Sequence, residues 1–159
     1  YITHHNKEGA AGIVLNYKIM SINSLDLFEK LNIKLENTSI DLSLHIGGPM
    51  SQTNGFILHS NEYNSDSTVN ISESVNLTCS TKIIEDIAKN KGPNKYFISL
   101  GYAGWGPGQL ESEIMQNSWM NISVDTSFLF DEEVTNKWSK AYNLLGIDPN
   151  KLSYNSGRA

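Results

Sequence analysis

The segment from Leu100 to Met120 constrains the fold of this chain more than any other. Residues 96–100 (YFISL) form an apolar run rich in aromatic and branched side chains, which predicts a buried strand. Four glycines follow between residues 101 and 108 and predict a turn, after which apolar residues recur at helical spacing. The segment therefore predicts a strand, a turn and a helix in succession, which is typical of a mixed α/β domain.

Weaker signals on either side extend this pattern. The Asn54-Gly55 pair predicts a hairpin turn, because both residue types tolerate positive φ. Helices are predicted after the N-cap candidates Ser24 and Ser80, and over residues 131–145. Strands are predicted at residues 1–4, 12–17, 44–46, 56–59 and 119–124, and once or twice between 69 and 77. We expect one compact mixed α/β (α+β) domain over residues 1–159, with a mixed, partly antiparallel sheet flanked by helices.

Composition limits the partners and the compartment. The chain has 159 residues, 39% of them apolar, and carries 17 acidic and 12 basic residues without a basic stripe, so direct DNA binding is doubtful at its net charge of -5. Its lone Cys79 forms no internal disulfide, which favours a reducing, cytoplasmic location. No apolar run reaches the ~18 residues of a membrane span. Because the chain begins at Tyr1 inside a strand signal, we expect a native N-terminal segment to precede it.

The glycine-rich turn does not match a phosphate-binding motif. Gln109 stands where the third glycine of a dinucleotide-binding fingerprint would fall, and no Gly-Lys-Ser/Thr follows. An anion site at the start of the following helix is one interpretation. A tight turn packed by Tyr102 and Trp105 is the favoured one, and no cofactor is predicted.

Few residues form a catalytic or metal-binding pattern. Glu111 and Glu113 lie two apart on one helix and cannot act as a carboxylate pair. Cys79 at a helix start and His59 at a strand end suggest a thiol nucleophile with its base, but a small buried cysteine is the favoured interpretation. The four histidines have no metal-ligand spacing, so no metal site is predicted.

Several strings together resemble the YqgE/AlgH family of small bacterial proteins. They keep the order of the family and span nearly the whole chain: Gly9–Asn16, Gly47–Pro49 with Gly55–His59, Leu100–Ile114, and Asn117 with Trp119. Two positions depart from the family pattern. Tyr17-Lys18 replaces the usual basic residue and proline, and Cys79 stands where the family has threonine, which weakens the case for Cys79 as a nucleophile.

The resemblance implies an AlgH-like fold and a family that carries the label of transcriptional regulator, without an agreed enzymatic activity. We therefore expect a cytoplasmic, non-enzymatic binding or regulatory domain with a protein or small-ligand partner. The rival hypothesis is a hydrolase or transferase that uses His59 and Glu113 as acid and base at a glycine-lined anion pocket. The candidate binding surface comprises Gly47, Gly48, Pro49, His59, Tyr102, Gly104, Trp105, Gly108, Gln109 and Glu113.

Overall fold

The computed structural model of the chain describes residues 1–19, 29, 42–148 and 151. The helix predicted after Ser24 lies outside these residues. The elements with described bounds are β1 (Ile2–Asn6), β2 (Gly9–Gly12), β3 (Leu44–Ile46), β4 (Met50–Ser60), β5 (Thr68–Asn70), β6 (Val75–Thr78), α1 (Lys82–Ala88), β7 (Tyr96–Trp105), α2 (Gln109–Met115), α3 (Thr126–Phe130) and α4 (Val134–Leu144).

The seven described strands form one sheet in the order β1-β2-β7-β4-β6-β5, with β3 paired to β7 beside this path. Every neighbouring pair on the path is antiparallel, whereas β3 runs parallel to β7. The long strand β7, which begins with the apolar run identified in the sequence, therefore lies at the centre and pairs with β2, β3 and β4. This arrangement confirms the predicted mixed, partly antiparallel sheet.

The connection from β3 to β4 crosses over β7. Ile98 of β7 pairs with Leu44 of β3 and also with Ile57 of β4, so these two strands lie on opposite edges of β7. Only Gly47, Gly48 and Pro49 join β3 to β4, and the backbone must therefore pass directly across β7.

Glycine is required at this crossing because two backbones touch. A Cβ atom at Gly48 would lie 2.1 Å from the carbonyl carbon of Tyr102, and one at Gly47 would lie 2.3 Å from the carbonyl oxygen of Gly101. Gly101 itself has φ +73°, and its Cβ would approach the carbonyl oxygens of Gly48 and Met50 at 2.6 and 2.7 Å. The glycines therefore have a structural role, which is to allow two strands to cross in contact.

Two apolar clusters cover the two faces of the sheet. Ile57 and Ile98 point to one face, and their neighbours Leu58 and Phe97 point to the other, as the alternation of a strand requires. The first cluster packs against α1 through Ile83, Ile84, Ile87 and Ala88, and the second packs against α3 and α4 through Leu129 and Val134. Helices therefore flank the sheet, as predicted, and the structure places them on both of its faces.

Two turn predictions are wrong because strands continue through them. The Asn54-Gly55 pair does not form a hairpin, since β4 passes through it and Gly55 pairs with Leu100 of β7 after an irregularity in register. The predicted turn from Gly101 to Gly108 is also too long. β7 extends to Trp105, because pairing with β2 holds residues 103–105 in the sheet.

The chain after α2 also differs from its prediction. Residues 119–124 form no strand, and the indole of Trp119 instead bonds to Glu113 on α2. The final helix begins at Val134, after α3 has ended at Phe130. Lys137 is buried, and its Nζ donates to the carbonyls of Phe128 and Leu129 at 2.6 and 2.8 Å, so it satisfies the open end of α3.

Candidate functional site

Residues at the distal end of β7 divide between two opposite faces of the sheet. Ala11 of β2 pairs with His4 of β1 and with Gly104 of β7, and this row of three points to one face. The next row, formed by His5, Ala10 and Trp105, points to the other face, because successive residues of a strand alternate. Two distinct surfaces therefore meet at this end of the sheet.

A groove of about 400 Å³ lies on the face of His4, Ala11 and Gly104. It is concave because its floor is made of residues with little or no side chain. A Cβ atom on Gly104 would lie 2.7 Å from the sulfur of Met50 and 3.3 Å from Cε2 of Tyr102, so these two side chains lie directly beside the floor. His4, Asn6 and Glu8 of the β1–β2 hairpin also line the groove.

The groove is fixed to the core through Tyr102. The Tyr102 ring packs against Phe56 with ring centroids 5.3 Å apart, and both rings border the cluster beneath α3 and α4. Asn6 is held by its own turn, because its Oδ1 accepts the backbone N–H of Glu8 at 2.8 Å. Tyr102 and Asn6, which line the groove, are therefore both held by contacts with their surroundings.

On the opposite face, Glu113 is bound by three side-chain donors. Its Oε2 accepts the indole N–H groups of Trp105 at 2.9 Å and Trp119 at 2.7 Å, and its Oε1 accepts Nε2 of Gln109 at 2.9 Å. The two indole rings meet edge to face, with centroids 5.9 Å apart. The hydrogen bond from Trp119, followed by those from Gln109 and Trp105, lowers the pKa of Glu113. Glu113 is therefore an ionised acceptor that holds α2 and its neighbours together, and it is poorly suited to donate a proton.

Two further contacts fix α2 to the adjoining strands. The ring Nε2 of His5 lies 2.6 Å from Oε1 of Glu111, which joins the β1–β2 hairpin to the helix and lowers the pKa of Glu111. Oε1 of Gln109 accepts the backbone N–H of Gly106 at 3.0 Å and so closes the turn before α2. The Gln109 side chain therefore accepts the Gly106 N–H, a backbone donor that would otherwise be open to an anion.

We expect the indole N–H resonances of Trp105 and Trp119 to move together as acid is added. The folded pKa of Glu113 is below its ordinary value of 4.5, so the charged hydrogen bonds persist above pH 4.5 and are lost as the pH falls through the lower, folded pKa. Proton–nitrogen correlation spectra recorded down to the onset of acid unfolding would follow both signals. Trp138 on α4 provides the internal reference, and a shared transition of all three indoles near pH 6 would contradict the assignment.

His59 lies far from Glu113, so the proposed acid and base do not converge. His59 pairs with Tyr96 at the start of β7, whereas Glu113 bonds to Trp105 at its end, roughly 30 Å away along the strand. His59 is fully buried, with Nδ1 donating to the Ser60 carbonyl and Nε2 accepting from the Thr78 hydroxyl, both at 2.9 Å. Burial lowers its pKa. These contacts assign His59 to the core.

Cys79 differs from both interpretations of the sequence. Cys79 is exposed, so the prediction of a small buried cysteine is wrong. Partial burial of the thiol nevertheless raises its pKa, which is the opposite of what activation by a helix start and a histidine would produce. The neighbouring His59 bonds to Thr78, and the thiol nucleophile hypothesis receives no support.

The remaining candidates are spread over three locations. Gly47 and Gly48 lie at the strand crossing, and the exposed Pro49 follows them immediately before Met50 of the groove. Gly108 is the N-cap of α2, with φ +70° and open space where a Cβ atom would extend. Of the ten predicted residues, Tyr102, Gly104 and Trp105 border the groove, and Trp105 also joins Gln109 and Glu113 on the opposite face.

Four residues that line the groove were not among the ten predicted from the sequence. Met50, His4, Asn6 and Glu8 reach the groove only through strand pairing between distant segments.

His45 lies away from the groove, in the core. It is buried and stacked on Phe97, with ring centroids 4.0 Å apart, and its Nδ1 donates to the Ile98 carbonyl while its Nε2 has no hydrogen-bond partner. Burial lowers its pKa.

The described part of the chain contains neither a group of metal-ligating side chains nor a helix that could span a membrane. No group of three or more histidine, cysteine, aspartate or glutamate residues is arranged to hold a metal ion within residues 1–19 and 42–148. Among the helices that are described, none has the length and apolarity needed to cross a membrane.

Comparison with known proteins gives consistent matches. A family model described as AlgH-like matches residues 1–150. A UPF0301 protein of Saccharophagus degradans is 41% identical over 100% of this chain and 78% of its own length, and one of Nitrobacter hamburgensis is 39% identical over 100% and 77%.

Two solved structures share the fold. The solution structure of the AlgH protein from Pseudomonas aeruginosa has a TM-score of 0.79 and 34% identity, covering 100% of this chain and 84% of that one. A crystal structure of a Corynebacterium diphtheriae protein has a TM-score of 0.68 at 16% identity, over 89% of this chain and 74% of that one, and it supports the fold alone.

Proposed function

The chain belongs to the AlgH-like family, and on that premise we propose that it is a non-enzymatic binding domain that takes a partner into the groove beside Tyr102 and Met50. The observation that carries the proposal is the groove itself. Its volume of about 400 Å³ is within the usual range for ligand sites. Its walls combine an aromatic ring and a flexible thioether with the polar side chains of His4, Asn6 and Glu8, which suits recognition more than chemistry.

The arrangement of titratable groups supports binding over catalysis. A general acid and base must reach the same substrate atoms, yet His59 and Glu113 lie at opposite ends of β7. Glu113 is occupied by three donors, and His59 is enclosed in the core. The glycine-lined turn that suggested an anion pocket closes on Gln109. We therefore retain the binding hypothesis and set aside a hydrolase or transferase that depends on this pair.

The charge of the chain suggests which partners the domain takes. With 17 acidic and 12 basic residues, it would repel the phosphate backbone of nucleic acid. A regulatory role would accordingly act through a protein or small-ligand partner in the cytoplasm. A gel-shift assay with duplex DNA at low salt is expected to show no complex.

The substitution Ala11→Gln tests the groove. Ala11 lies on the floor in strand β2, so a glutamine there would extend into the groove and remain compatible with the strand. We expect ligands found by thermal-shift screening of metabolites and short peptides to move the amide resonances of Ala11, Tyr102 and Gly104. We expect Ala11→Gln to weaken the binding of these ligands at least about tenfold, equivalent to about 1.4 kcal/mol of binding free energy.

A matched control is Val69→Gln, because Val69 is exposed on the edge strand β5, across the sheet from the groove. This substitution should leave ligand affinity unchanged. If the resonances that respond lie wholly outside the groove, or if Ala11→Gln binds every ligand as well as the native chain does, the groove is not the binding site.

A further inference from the structure

Met50 differs from the other methionines of the described chain in where its side chain lies. It is 44% exposed, while Met115 and Met120 are 78% and 52% exposed. Of these three, Met50 alone lines the groove. Its thioether is therefore open to solvent and also belongs to the surface that a ligand would contact. Exposed thioethers are the groups that mild oxidants convert to methionine sulfoxide.

The sulfur of Met50 lies on the floor of the groove. A Cβ atom built on Gly104 would lie 2.7 Å from this sulfur and 3.3 Å from Cε2 of Tyr102. Both distances start from the same point, so the sulfur and the ring edge are no more than about 6 Å apart, within reach of a sulfur–aromatic contact. The absence of a side chain at Gly104 therefore gives the sulfur its place.

An oxygen atom added to this sulfur has no room on the side of the floor. The space between the sulfur and Gly104 is already too small for a Cβ atom, because real Cβ atoms do not approach other heavy atoms as closely as 2.7 Å. A sulfoxide oxygen would therefore extend into the groove, or the side chain would turn away from the floor. Either change alters the surface beside Gly104 and Tyr102.

Oxidation also changes what the groove can bind. The thioether is apolar and flexible, whereas the sulfoxide carries a polar oxygen that accepts hydrogen bonds. An apolar ligand group placed over Met50 would remove water from this oxygen without replacing the hydrogen bond, which costs free energy. The groove would then keep the polar side chains of His4, Asn6 and Glu8 and lose apolar surface beside Tyr102.

We propose that Met50 is a reversible oxidation site that regulates the groove, and that its sulfoxide excludes apolar ligand groups. The oxidant is a hydroperoxide. A sulfur lone pair forms the S–O bond as the O–O bond breaks, and the second oxygen takes the proton of the first and leaves as water or alcohol. Methionine sulfoxide reductase restores the thioether and releases the oxygen as water while two thiols become a disulfide. The regulatory part rests on the proposed function, whereas the oxidation does not.

Treatment of the folded protein with hydrogen peroxide tests the site. Mass spectrometry of proteolytic peptides should show the sulfoxide at Met50 as well as at Met115 and Met120. In proton–nitrogen correlation spectra, the backbone amide resonances of Gly104 and Tyr102 should move on oxidation. They should return after treatment with methionine sulfoxide reductases of both stereospecificities and a dithiol.

Two variants separate Met50 from the other methionines. Met50→Leu conserves side-chain volume and cannot be oxidised, so peroxide should leave the Gly104 and Tyr102 resonances in place. The matched control is Met115→Leu with Met120→Leu, which retains Met50 and should respond to peroxide as the native chain does.

Titration with indole, a small apolar probe, tests the effect on binding. Indole should move the resonances of Gly104 and Tyr102 in the reduced protein, and its affinity should fall at least about threefold after oxidation, because the sulfoxide must lose water to admit it. In Met50→Leu, peroxide should leave the affinity for indole unchanged.

The proposal is overturned if Met50 stays reduced while Met115 and Met120 are oxidised, or if the Gly104 and Tyr102 resonances do not move and return as described. It is also overturned if Met50→Leu responds to peroxide as the native chain does, or if indole binds the oxidised protein as tightly as the reduced one or binds neither. A groove that binds ligands whether or not Met50 is oxidised refutes only this inference. Ligands that bind wholly outside the groove refute the proposed function and leave the oxidation site standing.

Discussion

Replacement of Gly48 by alanine is expected to lower the free energy of unfolding by about 4 kcal/mol or to prevent folding. The added Cβ would lie 2.1 Å from the carbonyl carbon of Tyr102 and 2.3 Å from the amide nitrogen of Ala103. Both are backbone atoms of the central strand, so neither can move aside as a side chain could. Urea unfolding followed by circular dichroism measures the loss, and a decrease in melting temperature of about 10 °C should accompany it.

Gly55→Ala is the matched control, because Gly55 lies in strand β4, a few residues after the crossing. The nearest atom to its added Cβ is a side-chain carbon of Ile57 at 3.8 Å, an ordinary contact. Alanine should be neutral there or stabilise by up to about 1 kcal/mol, since glycine within a strand has excess entropy to lose on folding. If Gly48→Ala and Gly55→Ala have the same stability, β3 and β4 do not cross β7 in contact.

His59→Ala is expected to destabilise the fold by about 3 kcal/mol without altering binding at the groove. The imidazole is fully enclosed, and its removal leaves a cavity and deprives the Thr78 hydroxyl of its acceptor. It also removes the edge contact with Tyr63, whose ring centroid lies 5.4 Å away. Chemical denaturation measures the stability change, and titration of the folded variant with a groove ligand measures affinity.

The control for His59→Ala is His4→Ala, which removes an exposed histidine beside the groove and should change stability by less than about 0.5 kcal/mol. The lowered pKa of His59 adds a pH signature. Because the unfolded chain protonates this histidine more readily, the native protein should lose stability as the pH falls below 6.5 through the folded pKa, and His59→Ala should lose less. A loss of ligand affinity in folded His59→Ala would contradict a purely structural role for His59.

Local patterns in the sequence predicted the central elements of the fold. The apolar run at residues 96–100 initiates β7, and helical spacing after Gly108 locates α2. The errors arose where a distant segment decides the structure. Asn54-Gly55 is a good hairpin sequence, but pairing of β4 with the full length of β7 holds it extended. Residues 119–124 have strand character, yet the bond from Trp119 to Glu113 places the start of this segment against α2.

The candidate site was predictable in part. Family resemblance selected Tyr102, Gly104 and Trp105, which the structure places at the border of the groove. Sequence spacing could not show that Gly104 lies against Met50 while the indole of its neighbour Trp105 binds Glu113 on α2, because that depends on register with β2 and β1. Nor could it identify Gly47 and Gly48 as a crossing point, since only the pairing of both β3 and β4 with β7 reveals it.

The crossing of β3 to β4 over β7 also affects how the chain folds during synthesis. Strands β2, β3 and β4 all pair with β7, so these three strands cannot complete their sheet until residue 105 has been made. At about 5–20 residues per second, the ribosome needs several seconds to synthesise the intervening chain. During that interval the edges of β3 and β4 that pair with β7 in the finished sheet present open backbone N–H and C=O groups. The central strand therefore arrives last among the strands it joins, and the order of synthesis leaves these edges free to pair with another chain until it does.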